Sequence, residues 1–140
     1  MNVSLRLPRV VVALGLSAVA LLGAACSSDN PAAPLAPFEP QINNIADKFE
    51  FQATGVTNVT WTYSYTWSNS GTVASMDQST TIDAGTAVVT VYDAVGTQVY
   101  SQSLSANGTF DTGTGVAGNW TVKVAFVNYD GTVNFRAQKK

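Results

Sequence analysis

Few residues in this chain can do chemistry. There is no histidine, which removes the commonest general base and the commonest transition-metal ligand. Cys26 is the only cysteine, so no intrachain disulfide can form. The aspartates Asp47, Asp77, Asp83, Asp93, Asp111 and Asp130 fall mostly at predicted turns, where the side chain accepts backbone hydrogen bonds. A calcium site needs roughly six to eight converging oxygens. The sequence has no D-x-D-x-D-G run, so no metal ligands are assigned. Glycoside hydrolysis needs two opposed carboxylates. The only glutamates are Glu39, in a proline-rich stretch, and Glu50, on the polar side of a predicted strand. A serine nucleophile would have to use a lysine base, but Lys48 and Lys123 are expected on solvent faces. No catalytic residue is assigned, and the chain is read as a non-enzyme, with a small secreted hydrolase as the last alternative.

The aromatic stripe is the most informative feature. Residues 58–68 alternate strictly, with Val59, Trp61, Tyr63, Tyr65 and Trp67 on one face and Asn, Thr and Ser on the other. Such a face is either core or a flat platform on which sugar rings stack. Val59 and Tyr63 are expected in the core. Tyr65 and Trp67, toward the strand end, are the candidate ligand contacts of a carbohydrate-binding alternative. Trp120 opens a second alternating run with Val122, Val124 and Phe126 and is expected to be buried.

Such residues need strands to position them. All five prolines lie in the first 40 residues, so residues 41–140 form one uninterrupted domain, long enough to bury a core. Strands are expected over 48–52, 58–68, 72–81, 86–92, 97–104, 109–112, 120–127 and 132–137. Turns are expected at Asn69-Ser70-Gly71, Asp83-Ala84-Gly85, Asp93-Ala94-Val95-Gly96 and Asn107-Gly108, with a hairpin at Asp130-Gly131. About eight strands at this spacing, with no helical stretch, predict an all-β antiparallel sandwich of jelly-roll or immunoglobulin-like type.

Residues 47–140 resemble the bacterial pre-peptidase C-terminal family of β-sandwiches. The resemblance rests on Asp47-Lys48-Phe49-Glu50-Phe51, on Val89-Thr90-Val91-Tyr92-Asp93-x-x-Gly96, on residues 117–124 (AGNWTVKV) and on Gly131-Thr132-Val133-Asn134-Phe135. It implies a non-catalytic accessory domain. Some members bind calcium through aspartates at the start of a strand that here reads Gly85-Thr86-Ala87-Val88. Those aspartates are absent, so calcium is not supported and no cofactor is expected.

The beginning of the chain reads as an export signal. Residues 1–9 carry Arg6 and Arg9 and no acid, and residues 10–25 are uncharged and mostly apolar. That run is shorter than the ~20 residues of a spanning helix, which fits a signal peptide over 1–25. Leu22-Gly23-Ala24-Ala25-Cys26-Ser27-Ser28 resembles the lipobox of bacterial lipoproteins. The resemblance implies lipidation of Cys26 and a membrane partner reached through that lipid. Ser27 after the cysteine implies the outer membrane in a two-membrane bacterium; cleavage after Ala25 without lipid would give a secreted form. Residues 26–40 are the lipidated cysteine and a proline-rich linker, which at ~3.1 Å per residue would reach ~40 Å. Beyond residue 25 there are nine acids against five bases, a net of −4. No basic patch exists to neutralise phosphates, so nucleic acid is excluded as a partner. An envelope protein or a polysaccharide is the expected target.

Overall fold

The computed structural model of the chain describes residues 34–140. The expected signal peptide with its helix, Cys26 and the first part of the linker lie outside these residues. The described part is all-β, with one short 3-10 turn at Ala36–Phe38. Seven strands follow: β1 (Gln41–Ile45), β2 (Lys48–Asn69), β3 (Ala74–Gln78), β4 (Thr81–Tyr92), β5 (Gln98–Ser103), β6 (Gly108–Asp111) and β7 (Gly118–Lys139). All belong to one antiparallel sheet.

Two strands of 22 residues, β2 and β7, pair along their whole length, from Lys48 opposite Gln138 to Asn69 opposite Gly118. This corrects two expectations at once. Residues 48–52 and 58–68 are one strand, and Asp130-Gly131 is no hairpin but part of β7. Likewise Asp83-Ala84-Gly85 lies inside β4 instead of turning the chain.

A straight strand would put Phe49 and Tyr65 ~53 Å apart at ~3.3 Å per residue. Their rings are 5.4 Å apart, and the Asp47 N–H donates to the Ser68 carbonyl at 2.8 Å. The ribbon therefore doubles back on itself. The bend falls where turn-forming residues interrupt the pairing. Gly55 and Asn58 in β2, Gly85 in β4, and Asn128 and Gly131 in β7 all have positive φ, and the register slips beside each of them. Bulges of this kind re-aim side chains and sharpen twist. In β2 the buried positions accordingly run Phe49, Phe51, Ala53, then Val56, then Val59. The spacing of three at the bend keeps the apolar side inward while the strand changes direction. Side chains fasten the bend: Asp130 Oδ1 accepts from the Asn58 N–H, Thr60 Oγ1 accepts from the Asn128 N–H at 2.8 Å, and the Tyr129 hydroxyl donates to the Thr81 carbonyl at 3.0 Å.

The first half of β2 then lies with β1, the end of β7, β3 and β6, and the second half lies with the start of β7, β4 and β5. The inward faces of the two halves meet in the core, where Phe51 packs on Phe135, Tyr65 and Phe126. Trp120 is buried, as its alternating run predicts. Leu35 is also buried, and the 3-10 turn after it contacts β2. The packed body thus starts before residue 41, and the last prolines of the linker belong to it. A fragment beginning at Gln41 would lose that plug.

Asp93 ties the β4–β5 turn to the glycine-rich loop before β7. Its carboxylate accepts from Val95 at 3.1 Å, Thr97 at 2.8 Å and Val116 at 2.9 Å. Burial alone would push this carboxyl up. The N–H groups of Val116, Thr97, Val95 and Gly96 outweigh that and hold it below its ordinary value. A lowered folded pKa gives stability that is present above the unfolded value, about 4, and is lost as pH falls through the folded one. Asp93→Asn should therefore lower the melting temperature at neutral pH, and the gap from wild type should narrow on acidification below about pH 4. Thermal melts of both proteins between neutral pH and pH 2 would show it. A gap that stays constant would mean the charge contributes nothing.

Candidate binding groove

The aromatic stripe is not a platform. Trp67 is 0 % exposed and meets its cross-strand partner Trp120 edge to face, with ring centroids 5.9 Å apart. This corrects its expected rim position. The end of β2 is not a free end, because Asp47 closes over it. Asp47 takes hydrogen bonds from the Ser70 N–H at 2.7 Å and from its hydroxyl at 3.0 Å. Tyr65 is half-buried against Phe49 and Phe51, and burial pushes its hydroxyl up to about 12. Val59 and Tyr63 are core, as expected. The exposed member of the stripe is Trp61, at 42 %, beside the bulge that separates it from Val59. Cys26 lies outside the described residues.

Most carboxylates are engaged in holding the chain. Asp47, Asp93 and Asp130 accept from backbone N–H groups, and Asp111 pairs with Lys140. Among the described residues no three acids or cysteines come together as metal ligands.

A groove of about 460 Å³ lies on the other side of the sheet from the Phe49–Phe51 core, across β1, β2, β7 and the end of β3. Its position follows from alternation. Phe49 and Phe51 point inward, so Glu50 and Gln52 point outward; Phe135 and Ala137 point inward, so Asn134 and Arg136 point outward. The pairing lines these up in two rows. Asn43, Glu50, Arg136 and Asp77 are successive register partners across four strands. Beside them Gln41, Gln52 and Asn134 form a second row across three, continued by Ser79 at the groove wall.

The first row is charged, and its ionised groups are paired within the row or with side chains beside it. Arg136 donates to Asp77 at 2.9 Å, and Thr109 donates to the other oxygen of Asp77 at 3.2 Å. Glu50 takes Lys48 at 2.8 Å and the Asn43 amide at 2.9 Å. The Lys48 bond, then the Asn43 bond, hold its carboxyl below the ordinary value. The second row is neutral. The side chains of Gln41, Gln52, Ser79 and Asn134 make no hydrogen bond to any described residue. An amide carries both donors and an acceptor, so this row can exchange hydrogen bonds with a ligand in either sense.

Sequence reasoning missed these residues. The outward positions of residues 48–52 and 132–137 carry Lys, Glu, Gln, Thr, Asn and Arg, where the outward positions of residues 58–68 carry mostly Thr and Ser. That difference is a signal in the sequence, but it says nothing of which strands are neighbours. No protein-family model, curated protein or solved structure matches the chain.

Proposed function

We propose that the chain is a lipid-anchored, extracytoplasmic β-sandwich that works by binding or by structure and not by catalysis, with the groove as its contact surface. The observation that carries the binding site is the row Gln41, Gln52 and Asn134. Its amides make no hydrogen bond to any described residue, and they stand on paired strands. A hydrogen-bonding row on a rigid sheet loses little freedom when a ligand arrives. The alternative, saccharide stacking on the aromatics of 59–67, is left with Trp61 alone as an open ring face.

The export side of the proposal rests on the apolar run that ends at Cys26 and on the lipobox resemblance. Several acyl chains hold a protein at a membrane far longer than one does, and a tethered domain can then reach an envelope protein or polysaccharide. Cys26→Ser should move the protein from the membrane fraction to the soluble fraction. Wild-type protein that is already soluble, and that begins at Cys26 without lipid by mass spectrometry, would contradict the anchor.

The groove itself is tested by photocrosslinking in intact cells. A benzophenone side chain placed at Gln52, in the groove, should give adducts. The same group at Ser64, on the outward face of the other half of β2, should give few. Equal yields from both positions would remove the groove as the contact surface.

A further inference from the structure

We infer that the groove takes a neutral polyhydroxylated chain, an oligosaccharide or polysaccharide without carboxylate or sulfate groups, laid along the amide row. This rests on the groove being the binding surface. Three features select that ligand class.

The first is charge. Every ionised group lining the groove already has an opposite partner: Arg136 with Asp77 and Glu50 with Lys48. An anionic or cationic ligand would have to break one of these pairs, and the groove offers no net field to draw it in. The second is hydrogen-bond character. Hydroxyl groups both donate and accept, and so do the amides of Gln41, Gln52 and Asn134 and the hydroxyl of Ser79. A carboxylate or phosphate only accepts and would leave half of that capacity unused. The third is shape. Gln41, Gln52 and Asn134 sit on adjacent strands ~4.8 Å apart, so the row is a track of three contacts running across the strands. A linear polymer can use such a track repeatedly. Ile42, the register partner of inward-facing Phe51, points to the other side of the sheet and adds no apolar surface to the track. A peptide chain of ordinary composition would bring apolar side chains to a surface that has little to receive them.

The test is native affinity electrophoresis of the full chain in gels cast with a neutral polysaccharide (dextran, galactomannan or unsubstituted xylan) or with polygalacturonate as the anionic control. At least one neutral polymer should retard the wild type, and the retardation should persist when salt is raised to ~0.5 M, where charge interactions are screened. Gln52→Ala combined with Asn134→Ala should weaken the retardation roughly tenfold, since two hydrogen bonds are removed. Ser64→Ala should leave it unchanged. Unaltered melting of the double variant would show that the loss is not unfolding. Retardation by polygalacturonate alone, or retardation abolished by salt, would overturn the neutral-ligand assignment. No retardation in any neutral gel, with crosslinks still forming from Gln52 in cells, would overturn the saccharide while leaving the groove as the binding surface. No crosslinks from Gln52 either would overturn both.

Discussion

Gly131→Ala should leave the protein unfolded or nearly so. Gly131 sits in β7 at the bend, with φ of 143°, a region that L side chains rarely adopt. A Cβ there would lie 2.1 Å from the Thr81 carbonyl oxygen and 3.1 Å from the Tyr129 hydroxyl. Both neighbours are fixed, because the Tyr129 hydroxyl already donates to that same carbonyl. Relief would mean pulling β4 off β7 at the point where the ribbon folds. Gly85→Ala meets the same obstacle, with the Asn128 carbonyl oxygen 2.1 Å away. Backbone strain alone costs about 1–3 kcal/mol. Adding lost strand pairing puts each change above ~4 kcal/mol, against the ~5–15 kcal/mol that holds a domain together. Gly55→Ala is the internal control. Its φ is also positive, but nothing lies within 4 Å of the added carbon, so only the conformational penalty of ~1–2 kcal/mol applies. Urea denaturation of the three variants would show the order. If Gly55→Ala proved as damaging as Gly131→Ala, close approach of the strands at the bend would not be what the glycines serve.

The tryptophan pair carries the second large effect. Trp67 and Trp120 are both fully buried and pack edge to face at 85°. Truncating either to alanine should cost ~3–5 kcal/mol through lost burial and the cavity left behind. The double variant should cost less than the sum, because the two rings share one contact. Conversion to phenylalanine should separate them. The Trp120 indole N–H donates to the Val116 carbonyl at 2.7 Å, whereas the buried Trp67 N–H has no partner among the described residues. Trp67→Phe removes an unsatisfied donor and should be milder than Trp120→Phe, which breaks a hydrogen bond. Denaturation midpoints of the four single variants would check both statements. A severe Trp67→Phe beside a mild Trp120→Phe would reverse the assignment.

Much of the strand content is legible in the sequence because period-two alternation is a local property. Residues 86–92 and 97–104 form a hairpin over the Asp93–Gly96 turn as expected, and the Trp120, Val122, Val124 and Phe126 face is buried as expected. The long-strand architecture is not legible, and the reason is specific. Gly, Asn and Asp supply positive φ equally well to a hairpin turn and to a bend inside a paired strand. At Asp130-Gly131 the choice is decided by β2, which pairs with β7 on both sides of the bend. That partner lies some 70 residues away in sequence. Trp67 was misplaced for a related reason: it stands near the end of an alternating run but opposite Trp120, and the Asp47–Ser70 contact seals that end. The groove is a property of neighbourhood. Gln41 and Gln52 stand on consecutive strands, but Asn134 comes from some 80 residues further along, and β1 itself (QINNI) has too little alternation to announce a strand.

The binding of Cys26→Ser protein to isolated envelopes of the cells that make it probes whether the amide row on the outer sheet face is the proposed contact surface. If Cys26 carries the proposed lipid, this change removes that anchor and leaves contacts of the polypeptide itself to hold the protein. Gln52→Trp fills the groove with an indole, and Ser64→Trp places the same bulk on the opposite outer face. Binding should be saturable, abolished by Gln52→Trp and left intact by Ser64→Trp, with both variants melting as the parent does. Binding that survives Gln52→Trp undiminished would contradict the proposed contact surface.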